Sequence, residues 1–362
     1  MAAVLSMAST LTCAQTQRAL ELEQQGQWKD AEAAWQQLIA QNPRDAMACA
    51  HLGLVLAREQ NYPAAVDAYR HALRLDPQIP GLQLDLGLAL FKQGKLTEAI
   101  APLKIAAAAA PANPQPRILL GMSYYGIAQF ADAIPYLRFA ISQSPDNEEL
   151  LGVLAQSCLY AKQYNCTLEE YKRILMVNPD SAQAHMMAGE ALDAQRHTAE
   201  AIAEFRAAEK VAPTEPNVHF GLGYLLWTQH QYPEAEQEFQ LELKNNPQYA
   251  QALAYLGDTE IKLQKPAQAD LEKAVRLPGA PRLAWLDLGI VLADQRKNDE
   301  AAADLQRAIA IDPKQVDAHW RLARLYQAEG KKDAARAEFA KAATLHQQRD
   351  ESLVQRISGP HP

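Results

Sequence analysis

The residues able to do chemistry in this sequence are few and scattered. Four cysteines stand at Cys13, Cys49, Cys158 and Cys166, and no two have the C-x-x-C spacing used by zinc and dithiol redox sites. The nine histidines are dispersed with no H-E-x-x-H, and the chain has neither a G-x-S-x-G nucleophile elbow nor a glycine-rich phosphate loop. Catalytic residues, metal ligands and a cofactor are therefore not expected, and the chain reads as non-enzymatic. Cys158 and Cys166 are the one suggestive pair, because they flank a predicted turn symmetrically and an antiparallel hairpin would bring them face to face. Two readings follow: a disulfide if the protein is exported, or two buried thiols if it is not. Cys49 reads as a packed small residue.

Charge narrows the partner. A net charge of -8 disfavours nucleic acid, which needs clustered Lys and Arg to displace counterions. The best basic cluster, Arg321, Arg324, Lys331, Lys332 and Arg336, reads as a solvated charged face. No apolar run is long enough to cross a membrane as a helix. Residues 1–14 are uncharged, carry Val4, Leu5, Met7 and Leu11, and end in Thr12-Cys13-Ala14. That segment has the apolar stretch and small-x-Ala ending of a secretory signal but not its positive start. It is either a truncated signal peptide or an N-terminal extension of the first helix. The first reading places the protein in the periplasm or outside the cell, the second in the cytoplasm, and the sequence leans to the first.

The elements that must position these residues announce themselves through proline. Pro43, Pro77, Pro111, Pro145, Pro179, Pro213 and Pro247 are each 34 residues apart. A fixed period of that length is the mark of stacked supersecondary units. Numbering each unit so that its proline is position 32, position 8 holds Gly53, Gly87, Gly121, Gly189, Gly223, Gly257 and Gly289. Position 20 holds Ala31, Ala65, Ala99, Ala133, Ala201, Ala235, Ala301 and Ala335, with Thr167 as the odd member. Small residues at both positions let two antiparallel helices touch closely. Aromatics recur at position 24 (Trp35, Tyr69, Tyr171, Phe205, Phe239, Phe339) and position 17 (Trp28, Tyr62, Phe130, Tyr164, Tyr232), where they are expected to pack between successive hairpins. Gly26, Gly94 and Gly330 fall in the turn at position 15, and Pro63 and Pro233 where the second helix starts.

One unit reads His51-Leu52-Gly53-Leu54-Val55-Leu56, then Tyr62-Pro63-Ala64-Ala65, then Tyr69, Ala72 and Asp76-Pro77. This pattern resembles the tetratricopeptide repeat family, and the resemblance covers residues 12–347. It implies an all-α, right-handed superhelical solenoid of about ten helix-turn-helix hairpins. Repeat eight is two residues short around Lys262 to Ala267, which predicts a tighter turn there. Pro102 and Pro135 fall inside second helices and predict mild kinks. Residues 348–362, with Leu353, Val354 and Ile357 at helical spacing before Ser358-Gly359-Pro360, read as a capping helix and tail.

The resemblance also implies a concave groove lined by the first helix of each hairpin. Mapped onto this chain, its candidate partner-binding residues are Phe91, Tyr125, Tyr160, Met187, Phe220, Tyr224, Trp227, Tyr255, Trp320, Arg321 and Arg324. Phe220, Tyr224 and Trp227 share one helical face, with Tyr255 expected beside them. They form either an exposed aromatic patch suited to a partner or a set of rings that bury one another. The Lys and Asn set with which some members grip a C-terminal carboxylate is missing from any three consecutive repeats. The expected function is a non-catalytic scaffold that holds a protein or peptide. The alternatives are an accessory subunit recruiting substrate to a separately encoded enzyme, and a cell-wall or carbohydrate-associated envelope protein. Sequence alone leaves the oligomeric state open.

Overall fold

The computed structural model describes the backbone of residues 2–358 and the side chains of residues 13–350. Among the described residues there are twenty helices and no strand, and the chain divides into two compact units, Met1–Pro179 and Asp180–Pro362. The first unit contains α1 (Ala2–Gln24), α2 (Trp28–Gln41), α3 (Ala46–Arg58), α4 (Tyr62–Leu75), α5 (Leu82–Lys92), α6 (Leu96–Ala109), α7 (Gln115–Gly126), α8 (Phe130–Gln143), α9 (Glu148–Tyr160) and α10 (Tyr164–Val177). The second contains α11 (Ala182–Ala194), α12 (Thr198–Val211), α13 (Val218–Thr228), α14 (Tyr232–Asn245), α15 (Ala250–Lys262), α16 (Gln268–Arg276), α17 (Arg282–Asp294), α18 (Asn298–Ile311), α19 (Val316–Ala328) and α20 (Lys332–Ser358). Within each unit every helix packs on the next, and the short connections make the neighbours antiparallel.

Local sequence explains where each helix stops. The residue before each period-setting proline is pushed out of helical geometry by the ring that follows, as at Asp76 with φ -141° and ψ 101°. Where that residue is an aspartate its side chain accepts from the backbone two residues on, Asp76 from Gln78 at 2.9 Å and Asp312, before Pro313, from Lys314 at 3.1 Å. Where the next helix begins, Asp45 and Asn147 cap it by accepting from Ala48 and Leu150 at 2.9 and 3.0 Å. The turn inside each hairpin needs a left-handed residue at position 15. Gly26, Gly94 and Gly330 supply it freely, but Gln60, Ala128, Lys162, Arg196, His230, Gln264 and Arg296 take the same positive φ with a side chain.

The hairpins lock through a contact the sequence only half reveals. The position-24 side chain lies on the position-8 glycine of its own hairpin, so that a Cβ on Gly53 would come within 2.5 Å of the Tyr69 ring and one on Gly189 within 2.6 Å of Phe205. Leucine does the same elsewhere, Leu103 over Gly87 and Leu305 over Gly289, at 2.6 and 2.8 Å. The position-24 residues were expected between successive hairpins; their first partner is instead the facing helix of the same hairpin. Phe205 also reaches forward, onto Gly221 of α13. Position-17 rings are half-buried, and Phe130 meets Tyr160 of the following hairpin at 4.8 Å between centroids. At position 20, Ala31, Ala65, Ala99, Ala133, Ala201, Ala235 and Ala301 are fully buried.

Repeat eight departs from the expected tighter turn. Gln264 keeps the left-handed turn conformation, but α16 is only nine residues long and starts after Pro266. Ala267 is buried where the position-20 alanines lie, and Leu271 lies over Gly257 at 2.5 Å, so both packing contacts survive the deletion. The chain therefore gives up the first turn of the helix. Two non-helical residues, Lys265 and Pro266, take the place of the four that elsewhere separate the turn from the position-20 alanine. Pro102 and Pro135 lie inside α6 and α8, which run on through them although the carbonyls of Glu98 and Ala131 lose their amide donors. At the C-terminal end α20 continues through residues 348–358 as one helix; the side chains of Leu353, Val354 and Ile357, and residues 359–362, lie outside the described residues. At the other end α1 starts at Ala2, and the side chains of residues 1–12 on which the signal reading rests also lie outside them.

Two substitutions test these constraints with opposite signs. Gly53→Ala drives a methyl into the buried Tyr69 ring and is expected to lower stability by about 1–3 kcal/mol in urea denaturation. Ala128→Gly, at φ 59°, is expected to raise it by about 0.5–1 kcal/mol by releasing a left-handed alanine. A neutral result at either position would contradict the turn and packing roles assigned above.

Candidate functional site

The first helices of the second unit gather the largest set of aromatic rings, and a buried glutamate sets where that set begins. Pro216 delays α13, leaving Asn217 left-handed at φ 69°. The carboxylate of Glu242, almost wholly buried on α14, then accepts from the backbone N–H groups of Asn217 and Phe220 at 3.2 and 3.1 Å. A negative group at a helix N-terminus satisfies orphan donors and complements the dipole. The sequence signal was present but unread: Glu242 occupies position 27, where other units carry Ala72, Ala106, Ala140 or Ala208.

From that start α13 presents Phe220, Tyr224 and Trp227, and α15 presents Tyr255 among them. Tyr255 meets Tyr224 at 5.5 Å and Trp227 at 5.2 Å, both edge to face, while Tyr224 and Trp227 stack at 6.2 Å. Phe220 lies 5.8 Å from Tyr255 and 5.0 Å from Tyr249. All four predicted rings are half-buried, so they are neither a free patch nor a closed core. Edge-to-face packing holds them rigid while leaving part of each ring in solvent. Trp227 is fixed further by its indole Nε1, which donates to Asp258 Oδ2 at 2.7 Å.

Asp258 is one of two neighbouring buried aspartates in the hairpins that follow α13. It is nearly buried and pairs with Lys262 at 3.8 Å. Asp287, on α17, is only 4% exposed, and its Oδ2 has no hydrogen-bond partner. Burial, and then the neighbouring Asp258 charge, push the Asp287 carboxyl up to about 8 against the influence of Lys262, Arg282 and Arg321. It is thus a neutral acid at neutral pH. One hairpin further, Trp320 is 40% exposed, with the guanidinium groups of Arg321 and Arg324 at 5.6 and 4.9 Å from its ring. Arg321 and Arg324 also line a cavity of about 470 Å³ together with Asp294, Arg296, Asn298 and Leu325.

The remaining predicted residues separate. In the first unit Tyr125 and Tyr160 come together around Phe130, with centroids 5.8 and 4.8 Å from it, and Gln156 accepts from the Tyr125 hydroxyl. Phe91 is half-buried on α5. Met187 does not face solvent: at 6% exposure it belongs to the core, where a flexible, unbranched thioether chain packs readily. Cys158 and Cys166 are joined as a disulfide between α9 and α10, with Cα atoms 5.7 Å apart, and Cys49 is buried beside His71.

The Asp287 shift makes a pH prediction. A carboxyl raised from 3.8 to about 8 holds a proton in the folded protein that the unfolded chain has released, so its stability contribution is full below about pH 4 and is lost as the pH rises toward 8. Asp287→Asn removes that slope. The variant is expected to exceed the parent in urea midpoint at pH 8, by more than about 1 kcal/mol, and to approach it at pH 4. A difference that does not change with pH would refute the buried-acid account.

Comparison with known proteins follows the same repeat. No curated protein sequence matches the chain. Among solved structures, Naa15/Naa10 bound to HypK-THB is 14% identical, with 92% of this chain and 63% of that chain covered at a TM-score of 0.51. The C-terminal part of a TPR repeat-containing protein from Cytophaga hutchinsonii is 15% identical over 66% of this chain and 98% of its own, at 0.50. YrrB, a TPR protein with an unusual peptide-binding site, is 21% identical over 52% and 97%, at 0.42. At these identities the likeness is one of fold. Family models for the tetratricopeptide repeat match residues 16–80, 52–114, 168–216, 220–281 and 267–316, and a second such model matches 128–191 and 292–357. With the matches covering most of its length, and with hairpins closed by a small residue at position 8 and a proline at position 32, the chain belongs to the tetratricopeptide repeat family.

Proposed function

We propose that this protein is a non-catalytic interaction scaffold whose second unit receives an extended segment of a partner protein across the first helices of its hairpins. Tetratricopeptide repeats generally serve as protein–protein interaction scaffolds. The observation that carries the proposal is the ring cluster of Phe220, Tyr224, Trp227 and Tyr255, rigid yet half open to solvent. Rings already held in place lose little conformational freedom on binding, and Trp and Tyr so fixed are favoured anchors at interfaces. A partner side chain inserted among them is apolar or aromatic. The arginines around Trp320, one hairpin beyond Asp287, suit an acidic residue further along the same segment. Net charge of -8 argues against nucleic acid as the occupant.

The experiment is affinity capture from the native host followed by mass spectrometry, comparing the parent chain with a Tyr224→Ala, Trp227→Ala double variant of matched helicity. The double variant is expected to lose at least about tenfold in partner recovery, two anchors of this kind exceeding about 2 kcal/mol. Equal recovery would sink the aromatic-face reading.

A further inference from the structure

Three hairpins of the second unit contain the same partly buried pair, a histidine at position 4 and a glutamate at position 23. His185 Nδ1 meets Glu204 at 2.7 Å, His219 Nδ1 meets Glu238 at 2.7 Å, and His319 Nδ1 meets Glu338 at 2.6 Å. In two of them the other ring nitrogen faces the carbonyl of the preceding proline, His219 Nε2 to Pro213 at 2.8 Å and His319 Nε2 to Pro313 at 3.1 Å. A carbonyl only accepts, so Nε2 carries the hydrogen and donates it. Nδ1 is then the nitrogen turned to the carboxylate. As a repeated device the pair ties the two helices of a hairpin together and to the chain entering it.

One of the three pairs has a further ligand. Glu209, on α12, places Oε1 4.0 Å from His219 Nδ1, and the donor atoms of Glu209, His219 and Glu238 all lie within 4.8 Å of one another. The position Glu209 occupies in its repeat is Leu175 before His185 and Ile309 before His319, so the sister pairs have no counterpart to it. The extra carboxylate changes the electrostatics. Burial first, and then the Glu209 charge, raise Glu238 above the usual carboxylate range despite its bond to His219 and nearby Arg206. Glu338 is also partly desolvated, yet hydrogen bonds from Lys341 and His319 hold it below that range. Two carboxylates share one imidazole at the first site; one carboxylate serves it at the other.

We propose that Glu209, His219 and Glu238 form a binding site for a divalent transition-metal ion of the zinc type. One imidazole nitrogen and two carboxylate oxygens are a donor set that zinc accepts, with a fourth position left for water. Ligand bonds of about 2.1 Å place tetrahedral donors about 3.4 Å apart, between the 2.7 and 4.0 Å separations measured from Nδ1 and short of the 4.8 Å that bounds the whole set, so the carboxylates close inward on the ion. The Pro213 carbonyl supplies the outer hydrogen bond that orients a metal-ligating histidine and keeps the lone pair of Nδ1 on the metal side. The ion takes the place of the proton held between Nδ1 and Glu238, which is released on binding. His219 is only 4% exposed in its side chain while Glu209 is 32% exposed, so the site has a buried floor and an open mouth.

Isothermal titration of the full chain with ZnCl2 in metal-free buffer tests this. One equivalent is expected to bind at micromolar concentration. Glu209→Gln, chosen because that side chain is partly exposed and outside the repeated pair, is expected to weaken binding by at least about tenfold without loss of helicity. His319→Ala is expected to leave zinc binding unchanged. Ile309→Glu, which gives the His319–Glu338 pair the missing carboxylate, is expected to add a second equivalent. Absence of binding by the parent chain at about 100 μM zinc, an affinity unaltered by Glu209→Gln, or an equal loss in His319→Ala would each overturn the proposal.

Discussion

The contact between a position-24 side chain and a position-8 glycine governs the rest of this molecule. A ring or a leucine lying on bare backbone sets how closely the two helices of a hairpin approach, and the alanine at position 20 is the second point of closure. Everything between those points must bring the chain around within a few residues, hence the left-handed residue at position 15 even where a Gln, Lys or Arg bears its cost. Repeat eight shows the hierarchy. With two residues missing, the chain keeps Leu271 on Gly257 and keeps the left-handed turn, and it is the first helical turn of α16 that is given up. A turn of helix is stabilised by a few local hydrogen bonds; the packing contact holds two helices together.

The candidate partner face is built by exceptions to this scheme. Glu242 puts a carboxylate where other hairpins bury alanine, and it compensates for the two residues by which α13 starts late after Pro216. Asp258 and Asp287 put buried acids into the next two hairpins, one held by Trp227 and the other kept neutral by burial. Such groups oppose folding, and a scaffold serving only its own stability would have apolar residues there. Asp258 fixes the orientation of Trp227, and Asp287 keeps a buried oxygen without a hydrogen-bond partner. Rigidity of the rings and openness of the surface are thus obtained from the same residues.

The histidine–glutamate pairs show how a repeat protein acquires a local property without altering its frame. Three hairpins carry the same brace, and Glu209 adds a second carboxylate to one of them. Because each hairpin contacts only its neighbours, one substitution changes a single site while the stacking surfaces stay as they are.

Much of the fold was legible from spacing alone. The proline period, the small residues at positions 8 and 20 and the aromatics at 17 and 24 identify paired helices, because packing at close range demands small residues at a fixed helical interval. The same spacing brought Phe220, Tyr224 and Trp227 to one face and set Cys158 opposite Cys166. Tertiary structure decided what periodicity cannot encode. It seated the position-24 rings on their own hairpin, buried Met187, left the four rings of the candidate face half open, and drew Glu209, His219 and Glu238 together from three helices. A repeat index gives each side chain a direction from its own helix axis. Whether that direction ends in solvent, in a neighbour's ring or beside a second carboxylate depends on residues one hairpin away, and those vary from unit to unit.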